Sequence, residues 1–332
     1  MTKLFKIIFF NSLILGTLMS ISAYSWFSMW MGLEINLLSF IPLLVNSNNS
    51  LSSESALKYF IVQALASIIL LFSIISFLSL ELSNQAYYLN LIMNSTFLTK
   101  MGMAPFHFWM PEVIEGMNWL NSSILLTWQK IAPMILLMYS IKMNFFFISI
   151  ILISLIISGL MGLNQISLRK ILAYSSINHM SWMISLIFLN QSIWLIYFLI
   201  YSFITLNMTL SFFKLNIFYF QQMISFMNFN KTLKLFFFMN FMSLGGLPPF
   251  LGFIPKWLSI NLLVQNSNIL LTLILIMFSL VTLYFYLRMM FNALMMISLE
   301  NFTLPFKNFS KIFYFINLIN ITSLIFCSFF LF

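Results

Sequence analysis

Runs of about twenty apolar residues follow one another along almost the whole chain, and that spacing constrains the fold more than any other feature. A helix of about 20 residues crosses a hydrocarbon core of about 30 Å. Reading the runs as spans gives 4–21, 25–45, 57–80, 87–109, 121–141, 145–163, 170–189, 192–213, 235–263, 268–290 and 311–331. Only 46–56, 214–234 and 291–310 are left as candidate extramembrane stretches. Of the 332 residues, 62% are hydrophobic and 6% charged, against about 25% charged in a soluble domain. Such a chain has too little polar surface to face water, so its solvent is lipid. Long unbroken runs do not fit the alternating strands of a membrane barrel. The predicted fold is therefore an all-α polytopic membrane protein of about eleven transmembrane helices. With no linker in sight, 1–332 reads as a single domain.

Composition also excludes chemistry. The lone Cys327 leaves no disulfide framework, and with only His107 and His179 there is no haem or iron–sulfur ligand set. Asp is absent, which removes any Asp-rich magnesium–diphosphate site. An excess of Phe (41) and Met (25) suits AT-rich coding under a mitochondrial code. The net charge of +9 does not point to nucleic acid, because the cations stand singly at the ends of apolar runs, where they report topology. With the N-terminus inside, inner flanks hold Lys3, Lys6, Lys58, Arg169, Lys170, Lys214, Lys231, Lys234, Arg288, Lys307 and Lys311, whereas outer loops hold only Lys142. Lys3 and Lys6 before an apolar run resemble a signal peptide. No small-x-small cleavage site follows, so that run is read as a retained span.

One internal repeat stands out. Residues 102–111, GMAPFHFWMP, and 246–255, GLPPFLGFIP, share G-x-x-P-F-x-x-x-x-P at an offset of 144 (246 − 102). Gly and Pro inside a span interrupt the backbone ladder, which lipid tolerates only where protein or water supplies new partners. The fourth and ninth spans are thus expected to be discontinuous. They lie an odd number of spans apart, so the copies run in opposite directions, the plan of inverted-repeat transporters.

Charges within spans mark function, because each costs about 2.5–3.5 kcal/mol near the bilayer centre on insertion scales. Four such groups occur: Glu34, Lys100, Lys130 and Lys256. We read them as a proton relay in which Glu34 modulates Lys100; Lys58, Lys142, Lys214 and Arg288, at span ends, are read as snorkelling. Tyr174, Ser175, Ser176, Asn178 and His179, with Thr205 and Asn207, either line a water file or bond helix to helix. His107 either shuttles protons or caps freed backbone groups. Glu112 and Glu115 read as solvated or as partner contacts.

The segments MGLEINLLSFIPL, LTKMGMAPFHFWMPEVIEG, TWQKIAP, LRKILAYSSINHMSW and GGLPPFLGFIPKW resemble the antiporter-like membrane subunits of respiratory complex I (NADH:ubiquinone oxidoreductase), a family related to Mrp-type cation/proton antiporters. The resemblance covers essentially the whole chain. It implies inverted five-helix repeats, here about 4–141 and about 145–290, with a terminal helix at about 311–331. It also implies that Glu34 and Lys100 form a functional pair, that Lys130 bridges, and that Lys256 is the lysine of the second broken helix. His107, His179, Tyr174 and Ser175 are candidates for support. A proton would pass from the matrix side along the three lysines to the intermembrane space. FMN, iron–sulfur clusters and ubiquinone would belong to partner subunits, with no cofactor in this chain. The implied neighbours are complex I subunits 4 and 4L and membrane lipid, notably cardiolipin. The implied location is the inner mitochondrial membrane, N-terminus in the matrix and C-terminus outside. The rival readings are a stand-alone cation/proton antiporter and an architectural subunit without a relay.

The topology is testable with single cysteines on a Cys327→Ser background. Lys170→Cys and Lys234→Cys should react with an impermeant maleimide from one membrane face, and Lys142→Cys from the other. Labelling of positions 170 and 234 from opposite faces would refute the span count.

Overall fold

Lipid offers the backbone no hydrogen-bond partners, so each amide has to be satisfied within the protein. The computed structural model meets that demand with helices; among the described residues the only β pairing is an isolated bridge between Ser167 and Tyr219. The structure describes residues 2–45, 49–79, 83–140, 145–229, 231–248 and 250–295. The segment read as a terminal span at 311–331 lies outside them.

The chain divides into two compact units, Met1–Met143 and Asn144–Phe332. The first holds α1 (Thr2–Ser22), α2 (Trp26–Leu44), α3 (Ser50–Ser79), α4 (Ser83–Met101), α5 (Trp109–Gly116), α6 (Trp119–Leu126) and α7 (Trp128–Ser140). The second holds α8 (Phe145–Leu163), α9 (Leu168–Ile187), α10 (Gln191–Leu215), α11 (Phe220–Phe229), α12 (Lys231–Gly245), α13 (Phe253–Gln265) and α14 (Ile269–Met295).

Six helices among the described residues are long and apolar enough to cross a membrane unaided: Leu4–Ser22, Trp26–Leu44, Ser50–Ser79, Phe145–Leu163, Gln191–Leu215 and Ile269–Asn292. The chain is thus a multi-pass membrane protein. The other segments read as spans depart from a simple apolar rod for physical reasons. Helix α9 is long but polar, and every residue from Ile171 to Ile187 is buried, so its hydroxyls, Asn178 and His179 meet protein rather than lipid. The fourth, fifth and ninth segments are each interrupted.

The fourth and ninth are interrupted in the same way. Helix α4 ends at Met101 and α12 at Gly245; the chain resumes helix at Trp109 and at Phe253, so every boundary keeps the offset of the sequence repeat. Gly102 has φ 73° and Gly246 φ 77°, the left-handed region where a side chain is strained. Each glycine ends its helix in a Schellman-type cap. Met103 N donates to Leu98 O at 3.0 Å and Leu247 N to Met242 O at 3.3 Å, while the glycine amides reach Thr99 O and Ser243 O, both at 3.1 Å. The restarts match too, Met110 N to His107 O at 3.0 Å and Ile254 N to Leu251 O at 3.3 Å.

Three differences from the sequence reading concern boundaries. Helix α3 begins at Ser50, inside the stretch read as extramembrane, so Lys58 lies in its third turn rather than at a span end. The stretch 214–234 carries α11. The fifth segment breaks at Thr127, whose hydroxyl donates back to Ser123 O at 2.7 Å, a contact that bends helices. Six residues later Pro133, inside α7, lacks the amide that would bond the carbonyl four residues before it.

The breaks make a sharp prediction about neighbouring glycines. A Cβ on Gly246 would meet Lys256 Cδ at 2.7 Å, on a backbone that disfavours any side chain, whereas a Cβ on Gly245 would meet nothing nearer than 3.5 Å. Gly246→Ala should cost about 1–3 kcal/mol and displace Lys256, while Gly245→Ala stays near neutral, as thermal melts of the assembled protein would report. Equal melting points for the two would contradict the break geometry.

Candidate functional site

The end of α4 explains why polar side chains gather in the first unit. The last carbonyls of a helix have no partners of their own, and in a membrane they require one. Thr99 O accepts from the indole of Trp109, on the far side of the break, at 3.0 Å. Lys100 O accepts from Gln63 Nε2 of α3 at 3.3 Å. Across the unit, Gln129 Nε2 of α7 donates to Asn36 Oδ1 of α2 at 2.8 Å. The charge-based reading overlooked these amides and Trp109, because neutral polar residues carry a weaker signal than lysines. Gln63 and Gln129, in otherwise apolar runs, were the available clue.

Lys100 and Lys130 are 7% and 2% exposed, and both line one cavity. Its volume is about 20 Å³, and Asn36, Gln63, Trp109 and Gln129 are also in its wall. That is room for about one water, with several polar groups in the wall to bind it. Lys130 sits between the Thr127 break and Pro133, so both lysines lie beside irregular backbone. Glu34 is half-buried on α2, and its carboxylate acts electrostatically on Lys100. Among the described residues the two form no ion pair within 4.0 Å, so the interaction is exerted at a distance. The close ion pairs of this unit lie instead at Lys58, 3.1 Å from Glu54 and 2.8 Å from Glu112, all three well exposed. Lys58 was read as a lone snorkelling cation; it ties α3 to α5.

His107 lies buried in the first break, where its carbonyl accepts from Met110 N and its ring meets the backbone at Pro105 and packs 4.4 Å from the Phe108 ring. The ring is thus set against the backbone of the break.

In the second unit Lys256, 6% exposed on α13, donates to Gly245 O at 2.7 Å and so caps the last turn of α12. The polar face of α9 is met by side chains of α10 and α14. His179 Nδ1 lies 3.0 Å from Tyr197 Oη, with its ring 5.1 Å from that of Tyr201. The Ser175 and Ser176 hydroxyls donate to Leu172 O and Ala173 O at 2.8 and 2.7 Å and lie near the Tyr286 and Tyr201 hydroxyls respectively. Asn178 Nδ2 donates to Thr282 Oγ1 at 3.1 Å, and Asn207 Nδ2 to Asn240 Oδ1 at 3.2 Å. Tyr174 is buried beside them. The bonds of Asn178, His179 and Asn207 join neighbouring helices, and the three tyrosines around them were not among the residues singled out from the sequence. Tyr197 and Tyr201, four apart on α10, were the signal.

The arrangement can hold a few exchangeable protons. Ammonium groups out of water carry a large desolvation cost, which a carboxylate or carbonyl offsets only in part. Small movements of those partners therefore change how strongly each lysine holds its proton.

Comparison with known proteins identifies the family. Residues 23–282 match the family described as NADH:quinone oxidoreductase/Mrp antiporter, transmembrane. The chain is 52% identical over 278 residues to NADH-ubiquinone oxidoreductase chain 2 of Anopheles gambiae, spanning 82% of this chain and 81% of that protein. It is 47% identical to the chain of the same name from Aedes aegypti, over 94% of this chain and 92% of that one. In three dimensions it resembles a chain of respiratory complex I from Thermus thermophilus, with TM-score 0.83 and 21% identity over 97% of this chain and 76% of that one. A chain of the Mrp complex from Dietzia gives TM-score 0.73 and 14% identity over 84% and 58%. At such low identities the two structures speak for the fold alone, whereas the profile match and the insect relatives speak for the family. The chain belongs to the NADH:quinone oxidoreductase/Mrp antiporter transmembrane family.

Proposed function

We propose that the chain is a proton-translocating membrane-arm subunit of respiratory complex I, coupling NADH-to-ubiquinone electron transfer in partner subunits to proton movement through its buried charges. The observation that carries the relay is the cavity of the first unit, where Lys100 and Lys130, both beside broken helix, share space for one water. Glu34 biases Lys100 electrostatically, and Lys256 takes the corresponding role in the second unit. His179, Tyr174 and Ser175 support the second unit's polar core, and His107 holds the first break.

The remaining assignments extend the same reading. The repeated breaks and their odd spacing support two five-helix repeats of opposite direction, completed by a terminal helix. The distribution of cations supports a matrix N-terminus in the inner mitochondrial membrane and a C-terminus on the other side. Subunits 4 and 4L and cardiolipin are the expected neighbours. FMN, iron–sulfur clusters and ubiquinone are assigned to other subunits.

Lys100→Met separates relay from scaffold. A relay group contributes on the order of 10²–10⁴ to proton transfer. The assembled Lys100→Met complex should therefore lose at least about tenfold in coupled turnover, with complex abundance unchanged. Glu34→Gln should act in the same direction but more mildly, since beyond 4 Å the pair attraction falls below about 4 kcal/mol at an effective dielectric of about 20. Unchanged pumping and rate in Lys100→Met would remove Lys100 from the relay, and failure of assembly would favour the architectural role.

A further inference from the structure

The two helix breaks share a sequence frame and a backbone path, but they are closed differently. At the offset of 144, Thr99 corresponds to Ser243, Phe108 to Gly252 and Trp109 to Phe253. Thr99 O and Ser243 O each accept the amide of the glycine three residues on, both at 3.1 Å. A carbonyl has two lone pairs, and at a helix end in lipid the second has to be covered by protein. In the first break the Trp109 indole covers it, donating to Thr99 O at 3.0 Å. Phe253 carries no donor with which to do the same. In the second break Ser243 O is met by the buried backbone of Gly252 instead. The hydrogen that stands in place of a side chain at Gly252 points at that oxygen, a close Cα–H···O contact.

Gly252 has ordinary helical backbone, φ −68° and ψ −10°, so conformational freedom is not what the position requires. It requires proximity. A Cβ on Gly252 would overlap the Ser243 carbonyl oxygen and stand 2.8 Å from the carbonyl carbon. Both are backbone atoms in the last turn of α12, where Ser243 is fully buried and its hydroxyl bonds Asn240 O at 2.7 Å. Relief can come only from parting the start of α13 from the end of α12, on the order of 1 Å to restore ordinary contact. The counterpart in the first break meets no such limit, since Phe108 is 69% exposed.

Lys256 spans the same gap. It stands in the first turn of α13, four residues past Gly252, and its ammonium reaches back to Gly245 O at 2.7 Å. Its stem lies along Gly246, where a Cβ would come 3.0 Å from Nζ. The place of this ammonium therefore depends on the spacing of α12 and α13, whereas Lys100 belongs to the helix before its own break.

We propose that Gly252 is a positioning residue for Lys256: its backbone contact with Ser243 closes the second break and so holds the ammonium on Gly245 O. The proposal rests on the relay reading of Lys256.

The test compares coupled turnover and abundance of the assembled complex in wild type, Gly252→Ala, Lys256→Met and the double variant. Misplacing a reacting group by about 1 Å can cost on the order of a hundredfold. Gly252→Ala should therefore lose at least about tenfold in coupled turnover, with abundance unchanged. Added to Lys256→Met, it should lower the residual turnover no further, because the group it positions is gone. Wild-type turnover in Gly252→Ala beside an impaired Lys256→Met would overturn this proposal alone. So would losses that multiply in the double variant, which a merely structural glycine would give. Unimpaired Lys256→Met would overturn the relay reading of that lysine and this proposal with it. Should Gly252→Ala not assemble, a map of the wild-type complex decides. Gly252 against Ser243 O wherever Lys256 is on Gly245 O supports the proposal, and Lys256 on Gly245 O with Gly252 apart from Ser243 O overturns it.

Discussion

In lipid, a backbone carbonyl released from a helix finds no water, and the rest of this structure follows from how the released carbonyls are met. At the end of α4 the partners are the Trp109 indole and the Gln63 amide; at the end of α12 the partner is the Lys256 ammonium. The helix breaks and the buried polar groups are therefore one feature. Each break needs donors, and donors of this kind are stable in a membrane only where a break or another polar group receives them. Lys130, between the Thr127 break and Pro133, obeys the same logic without belonging to the sequence repeat.

The repeated break was legible because it depends on residues with fixed backbone consequences. Gly102 and Gly246 are the only residue type that takes φ near 75° without strain, and the prolines that follow forbid continued helix. Helix boundaries, caps and restarts then repeat at the sequence offset. Lys100, Lys130 and Lys256 were legible because a charge in an apolar run is costly, and all three are buried. The break at Thr127 was not legible, because threonine back-bonding depends on its rotamer rather than on its identity. Tyr197 and Tyr201 left only a spacing of four as a signal, and Tyr286 none, because such tyrosines look like lipid-facing aromatics until α9 packs Ser175, Ser176 and His179 near them. The relation of Glu34 to Lys100 was legible in sign but not in length: attraction without contact is a matter of tertiary distance.

The two units use similar backbone devices with different electrostatics. The first contains five of the six acidic residues, and its charges answer one another, Glu34 acting on Lys100 and Lys58 bridging Glu54 and Glu112. The second has almost no acid, and there Lys256 is held by a carbonyl. A lysine facing a movable carboxylate has a partner that can change its proton affinity by several-fold or more with a small displacement. A lysine bonded to a helix-end carbonyl is tied to the backbone break itself, and its state changes when the break does. Family membership gives both devices a context in which proton movement is coupled to work done elsewhere in an assembly.

The central claim is that Lys100 and Lys130 communicate through the small polar cavity they share. A map of the assembled complex at a resolution that shows ordered water tests it most directly. The account predicts a water in that cavity within hydrogen-bond distance of at least one of the two ammonium groups and of a neighbouring amide, Gln63, Gln129 or Asn36. A dry cavity closed by apolar side chains, with the two lysines turned away from each other, would contradict it.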